Sequence, residues 1–382
     1  MTGSLQVKNG KYYAVINLTD TNGKRKQKWI STGLEIKGNK KRAEKFLRET
    51  IKEYEAKENL IKTDILFCDY VLHYLELAKI KVDTITYQGY ECIAKSHIIP
   101  YFRETKTLLT ELTREDIQRY INLKFEVGRL DGKGGLSPKS IKTHMIIIQQ
   151  AIKEALKSNI ILTNPCEFVT LPKIQRHEPN FYTVQQIKDL FEAIKDKPLY
   201  SLVYFTVIFG LRRSEVLGLK WDSVNFEANT ITIKHTVVRF SEVVEKDQTK
   251  TNASYRSYPL SDDVVKILTE LKKKENENRR LFGAEYIEND YIFKWDNGKP
   301  YAPDYISRKF SKLLEQSKLP HIRFHDLRHS CASLLVANGF NIKDIQEWLG
   351  HADIQTTANI YAHLDNERKK NIALSMSNSF TF

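Results

Sequence analysis

The stretch FHDLRHS, residues 324–330, decides how this chain is read. It sets His325, Arg328 and His329 immediately ahead of the apolar run CASLLVANGF, residues 331–340. His325 and Arg328 are three apart, so at a helix start they project to one side. Phe324 and Leu327 would anchor the opposite side. A guanidinium can chelate two phosphate oxygens in a fork. An imidazole can donate to an oxygen or move a proton near neutral pH. His321, His325 and His329 recur at intervals of four, a spacing that would suit a metal. Pro320 breaks the pattern just upstream, and no Cys, Asp or Glu completes a ligand set, so no metal is expected. His329 reads as structural.

Outward from this stretch, four more places hold groups suited to a phosphodiester. In GLRRSEVLGLKW (210–221), Arg212 and Glu215 share a helix face, and the carboxylate can hold the arginine in one orientation. An ordinary surface ion pair would look the same. In QTKTNASYRSYPL (248–260), Lys250 falls in a turn between two strands, where it can act as a donor or acid; in a lysine-rich chain it could equally be a solvated side chain. In WLGHADIQTTANIYAHL (348–364), His351 follows a Leu-Gly that ends a short helix, and Tyr361 comes ten residues later. Taken alone, a tyrosine on an apolar helix belongs to a core.

Charge points the same way. The formal net charge is +13 and the pI about 9.3, which favours an anionic partner, nucleic acid first among them. Residues 1–42 carry ten Lys or Arg against Asp20 and Glu35 alone. Such a local excess reads as a module that contacts a DNA backbone. Cys68, Cys92, Cys166 and Cys331 are scattered, with no CxxC pair, which suits reduced thiols in the cytoplasm rather than a disulfide framework. MTGSLQVKNGKYY has no apolar signal core. LYSLVYFTVIFGL (199–211) is too short to span a bilayer and runs into Arg212 and Arg213, so it reads as a buried helix and no membrane is expected.

The pattern along the chain predicts a multidomain α+β protein. Residues 4–32 read as a small three-stranded sheet with an Asn-Gly hairpin signal in TDTNGK. Lys24, Lys26 and Lys28 alternate there with Arg25, Gln27 and Trp29, and a ribbon with basic and aromatic residues can enter a major groove. Lysines guarding an edge are the plain alternative. A helix at 40–58, with Ala43, Phe46, Leu47, Ile51 and Tyr54 as its stripe, should pack on the sheet. Helices follow at 65–79, 84–98, 114–125 and 137–159, the last with Ser137 as N-cap and Pro138 at the first position. The Pro-rich NPCEFVTLPKIQRHEPN (164–180) reads as a linker. Beyond it come helices at 183–195 and 199–209, strands within 230–240 and 243–260, and helices at 262–280, 304–317, 326–338, 342–348 and 356–363.

The order Arg212, Lys250, His325, Arg328, His351, Tyr361, in these contexts, resembles the tyrosine recombinase (phage integrase) family. The matching runs are GLRRSEVLGLKW, TKTNASYRSYPL, HDLRHSCASLLVANG and LGHADIQTTANIYAHL. The helical segment and NPCEFVTLPK resemble the family's core-binding domain, and the basic start resembles the arm-binding domain of integrases from conjugative transposons and temperate phages. The resemblance implies an arm-type DNA-binding domain over 1–62 and an all-helical core-binding domain over 63–168. A linker over 169–181 then leads to a mainly helical catalytic domain with a small antiparallel sheet over 182–382.

It also implies roles. Tyr361 is the nucleophile, forming a 3′-phosphotyrosyl bond. Arg212 and Arg328 clamp the phosphate, His351 adds a hydrogen bond, Lys250 protonates the leaving 5′-oxygen, His325 takes the tyrosine proton and Glu215 orients Arg212. Lys24, Arg25, Lys26, Lys28 and Trp29 are the expected arm-DNA contacts. No cofactor is implied. The implied partners are double-stranded DNA at core and arm sites, three further copies of the chain, and a DNA-bending protein or excisionase. The tail after Tyr361 is expected to dock on a neighbouring copy. A Xer-like dimer resolvase and a catalytically silent regulator on the same fold are the alternatives; the second would need a lesion in the six-residue set. A metal-dependent nuclease would need carboxylate clusters that are absent. Phe209 stands where the family usually has a small polar residue.

Overall fold

The computed structural model describes residues 1–19, 25–58, 60–61, 63–175, 180–239, 243–246 and 255–351, with 354, 358, 376 and 377. Contacts divide the chain into two compact units, Met1–Arg176 and His177–Phe382. Among the described residues, no helix is long and apolar enough to cross a membrane.

The first unit begins with an antiparallel sheet in the order β1 (Thr2–Lys8), β2 (Lys11–Thr19), β3 (Arg25–Glu35). Helix α1 (Lys40–Glu58) packs on one face. Gly3 lets it close in: a Cβ there would stand 3.1 Å from Ile51 and 3.2 Å from Leu47. Opposite residues of antiparallel strands share a face. Gly3, Ile16 and Lys28 are in register, so Lys28 lies on the helix side, its Nζ 5.4 Å from the Tyr54 ring centroid. Arg25, Gln27 and Trp29 occupy the other face. Ala14, Val15, Ile16 and Ala43 are buried between and around these layers.

Helices α2 (Phe67–Lys81), α3 (Thr84–Ile93), α4 (Ile99–Glu104), α5 (Arg114–Val127) and α6 (Pro138–Lys157) form the rest of this unit. Their caps follow the sequence: Asp83, Thr113 and Ser137 each accept backbone N–H groups at a helix start. Helix α6 buries Ile141, Met145, Ile148 and Ile152, each at helical spacing and each contributing about 2 kcal/mol by leaving water. The helix expected over 84–98 runs on to 104 through a widened π turn at Ala94–Ile98. Pro100 has no N–H for the regular ladder, and the wider turn accommodates it.

The second unit contains α7 (Val184–Ile194), α8 (Tyr200–Ile208), α9 (Arg213–Leu217), β4 (Val224–Asn225), β5 (Thr230–Ile233), β6 (Thr236–Arg239), β7 (Val243–Lys246) and β8 (Arg256–Pro259). It continues with α10 (Asp262–Phe282), α11 (Pro303–Gln316), α12 (Asp326–Ala337) and α13 (Ile342–Leu349). One sheet has the order β4-β5-β8 and a second pairs β6 with β7. The 230–240 run is therefore two strands in different sheets. At their junction the carbonyl of His235 comes so close to Gly218 that a Cβ there would lie 2.4 Å away. The 243–260 run is likewise β7 and β8, with residues 247–254 between them outside the described set. Helix α8 is apolar on every side and is buried in the core with Leu202, Val203, Phe205 and Val207. The helix expected at 356–363 lies outside the described residues, apart from Ala358.

Candidate active site

Helix α8 ends in a tight turn. Gly210 takes φ +59°, and a Cβ there would meet Leu349 Cδ2 at 2.2 Å. The turn delivers Arg212 to the start of α9. Glu215, one turn on, accepts from the Arg212 backbone N–H at 2.8 Å and from its Nη1 at 2.6 Å. Arg212 Nη2 donates to the carbonyl of Gly350 at 3.1 Å. The Glu215 side chain is 2% exposed and that of Arg212 is 35% exposed, so the carboxylate lies beneath and the guanidinium reaches the surface. Arg212 and Glu215 are thus paired, and with the carboxylate buried this is no simple surface ion pair.

Helix α12 supplies Arg328. Its entry is pinned by Asp326, whose carboxylate accepts from the backbone and side chain of Arg323 at 2.8–3.0 Å. Ser330 ties the same turn to the backbone N–H of Tyr182 at 2.9 Å. Arg328 is 1% exposed. Its Nη1 donates to the Gly210 carbonyl at 2.7 Å and its Nη2 to the Leu349 carbonyl at 2.5 Å. Its Nε donates to His351 Nε2 at 3.3 Å. Helix α13 makes this possible. Asn341 caps its start, and Gly350 at φ +64° ends it in the left-handed conformation. The carbonyls freed at that end, on Leu349 and Gly350, each receive one arginine.

The structure brings Arg212, Glu215, Arg328 and His351 together, with His325 on the N-cap of the helix that carries Arg328. His325 and His329 stack edge to face with centroids 5.3 Å apart. His321 lies before α12 and is 3.2 Å from Ser311 Oγ, so the three histidines do not form one helical row. Lys250 and Tyr361 lie outside the described residues.

The electrostatics follow from burial and crowding of cations. Burial alone would raise the Glu215 carboxyl, but Arg256, Arg212 and Arg328 outweigh it and pull it down to about 2. Burial and the neighbouring Arg212 push Arg328 down to about 9, which leaves it cationic at neutral pH. Burial, then Arg328 and Arg212, pushes His351 down to about 3. Burial, then His329 and Arg328, pushes His325 down to about 4. Both rings are neutral at neutral pH. With Nε2 of His351 accepting from Arg328, its remaining proton sits on Nδ1. A bound anion would raise all of these cationic groups.

Sequence reasoning missed Arg256. It sits on β8 with its side chain 9% exposed and donates to Glu215 Oε2 at 2.8 Å and Oε1 at 3.3 Å. Its Nε donates to Tyr258 Oη, which in turn donates to the Trp348 carbonyl. The available signal was alternation: in RSYP, Arg256 shares the inward face with the buried Tyr258.

In the first unit, Arg25, Lys26, Lys28 and Trp29 are exposed along β3. Trp29 is 48% exposed and lies 6.2 Å from the Tyr13 ring. Lys24 lies outside the described residues.

Comparison with known proteins adds the following. Residues 180–368 match the family model described as the phage integrase family, and residues 66–125 match the one described as phage integrase, N-terminal SAM-like domain. A XerC-like tyrosine recombinase of Caldanaerobacter subterraneus is 26% identical over 98% of both chains. The ICEBs1 integrase of Bacillus subtilis is 27% identical over 86% of both chains. The transposase of transposon Tn916 from Enterococcus faecalis is 27% identical over 60% of each. Among solved structures, the Tn1549 transposon integrase in complex with circular intermediate DNA superimposes with a TM-score of 0.65 at 21% identity, over 81% of this chain and 99% of that one. A lambda integrase tetramer bound to a Holliday junction superimposes with a TM-score of 0.60 at 18% identity, over 93% and 94%.

Proposed function

Because this chain belongs to the phage integrase family of tyrosine recombinases, we propose that it integrates and excises a mobile element by the following chemistry. Tyr361 Oη attacks a backbone phosphorus of double-stranded DNA. The P–O5′ bond breaks, a 3′-phosphotyrosyl bond forms and the 5′-hydroxyl leaves. A 5′-hydroxyl from a second strand then attacks the phosphotyrosine and releases Tyr361. The number of phosphodiester bonds is unchanged, so the cycle draws on no ATP.

Arg212 and Arg328 hold the non-bridging oxygens and offset the charge that builds in the transition state. Losing one such donor costs about 10²–10³ in rate. His351 adds a hydrogen bond to the phosphate. His325, neutral at neutral pH, accepts the tyrosine proton, and Lys250 returns a proton to the leaving 5′-oxygen. A free phenol of ordinary pKa, about 10, is little ionised at neutral pH, so the base is needed. The observation that carries this reading is the convergence of Arg212, Arg328 and His351 on the end of α13, with Glu215 buried beneath.

In this reading, residues 1–62 bind arm sites through β3, 63–168 and 182–382 clamp the core site, and 169–181 link them. Four copies hold two DNA segments in the cytoplasm, with the tail after Tyr361 seated on a neighbour. A DNA-bending protein or excisionase sets the direction. The test is covalent trapping. A nicked duplex carrying the joined ends of the host element is incubated with the protein in EDTA and run on a denaturing gel. A protease-sensitive adduct from wild type and none from Tyr361→Phe is the expected result. An adduct from Tyr361→Phe, or none from wild type on DNA it binds specifically, overturns the assignment.

A further inference from the structure

Each group assigned a role in the proposed function either serves the phosphate or the tyrosine, or holds a group that does. Arg256 has no such role, yet it too engages both oxygens of Glu215. Its two terminal nitrogens engage both carboxylate oxygens, at 2.8 and 3.3 Å. Glu215 in turn holds Arg212 by its backbone N–H and by Nη1. We propose that Arg256 is a positioning residue for strand cleavage: from β8 it locks the Glu215 carboxylate in the ionised, fixed state that aims Arg212 at the scissile phosphate.

The proposal rests on the recombinase reading and deepens it. Its physical basis is the cost of a buried carboxylate. Glu215 is 2% exposed, and such a group ionises only where hydrogen bonds and opposite charges replace water. The charged groups that face it are Arg212 at the start of α9, Arg256 on β8 and Arg328 on α12, the last at 3.8 Å. Tyr258, on the same strand as Arg256, is the neighbouring titratable group, and its ring centroid lies 5.6 Å from the Arg256 guanidinium. Arg212 and Arg328 are the two that must serve the phosphate, so their grip on Glu215 weakens as substrate draws them away. Arg256 bonds both carboxylate oxygens from a strand and has no assigned role at the phosphate. It also reaches the clamp by a second route. Tyr258 Oη accepts from Arg256 and donates to the Trp348 carbonyl, one residue before the Leu349 carbonyl that receives Arg328. One guanidinium therefore braces both the support of Arg212 and the end of α13.

A merely structural Arg256 would affect stability alone; a positioning residue also changes the cleavage rate in a way that requires Glu215 and is partly restored by Lys. Single-turnover adduct formation is measured on the nicked duplex with joined ends, using wild type, Tyr361→Phe, Arg256→Gln, Arg256→Lys, Glu215→Gln and the double variant Glu215→Gln/Arg256→Gln. DNA affinity is followed in parallel by gel shift. Arg256→Gln is expected to lose about ten- to a hundredfold in rate at neutral pH, short of the loss of a direct phosphate donor. DNA affinity should stay within about twofold, and Arg256→Lys should recover part of the rate. With Glu215 already replaced, Arg256→Gln should cost little more, since the two act as one unit.

A wild-type rate in Arg256→Gln would overturn the proposal, as would a loss that adds fully to that of Glu215→Gln. If Arg256→Gln does not fold, the double variant carries the test, because removing both partners leaves no stranded charge; a rate well below that of Glu215→Gln alone then refutes it. No adduct from wild type would refute the recombinase reading instead, so the two failures are distinguishable.

Discussion

Replacing Glu215 by Gln keeps the shape of the side chain and removes its charge. The carboxyl sits near 2 in the fold against an ordinary 4.5. A depression of that size corresponds to roughly 3 kcal/mol of stability at neutral pH. The general cost of breaking a buried ion pair from one side, about 3–5 kcal/mol, agrees with this. The folded value is the depressed one, so the contribution is complete above the unfolded value. It is lost as pH falls from about 4.5 toward 2. Urea unfolding followed by tryptophan fluorescence is the assay. Trp221, Trp295 and Trp348, three of the four tryptophans, lie in the second unit and report on the right region. The gap between wild type and Glu215→Gln should be about 3 kcal/mol at neutral pH and shrink by roughly 1.4 kcal/mol for each pH unit below about 4.5. A gap under about 1 kcal/mol, or one that does not change on acidification, would refute the picture of a buried carboxylate held ionised by three arginines.

Four further outcomes are expected. Gly210→Ala places a methyl 2.2 Å from Leu349 Cδ2 and 3.1 Å from Cys331 Sγ at φ +59°. It should cost about 2–4 kcal/mol in thermal or urea unfolding and slow cleavage by displacing the carbonyl that holds Arg328; an unchanged unfolding midpoint contradicts this. His144 is buried with its Nδ1 2.8 Å from Tyr120 Oη, and burial, then His97 and Lys124, pushes it down to about 4. The first unit should therefore lose up to about 3 kcal/mol as pH falls from about 6.5 toward 4, seen as faster amide exchange in α6; a flat profile would rule this out. Trp29→Ala, at a 48% exposed position, should change stability by less than about 1 kcal/mol yet weaken binding to duplexes from the element's ends. Arg25→Ala should lower the slope of log affinity against log salt by about one, and equal slopes would remove Arg25 from the DNA contacts.

Much of the site could be read along the chain because its parts are local. His325 and Arg328 are one helical turn apart, as are Arg212 and Glu215, and periodicity alone puts each pair on one face. The cap at Ser137 was legible for the same reason. Readings that depended on a distant neighbour fared differently. The 230–240 run has uniform strand composition, yet it leaves one sheet for another where His235 passes Gly218. On β3 the alternation was right, but it could not say which face α1 would cover. That face holds Lys28, while Arg25, Gln27 and Trp29 remain on the open side.

What the sequence determined by itself is the set of chemical groups, their order and their local pairing, because side-chain type and helical spacing are properties of short segments. What only the tertiary structure decided is what those groups rest on. Arg328 is held by the carbonyls of Gly210 and Leu349, Arg212 by that of Gly350, and Glu215 by Arg256 from a strand distant in sequence. Backbone carbonyls are the same in every residue, and a buried cation on a strand looks like any surface one until the chain folds. Only the fold sets which carbonyls are freed at a helix end, and which charge lies close enough, out of water, to hold another in place.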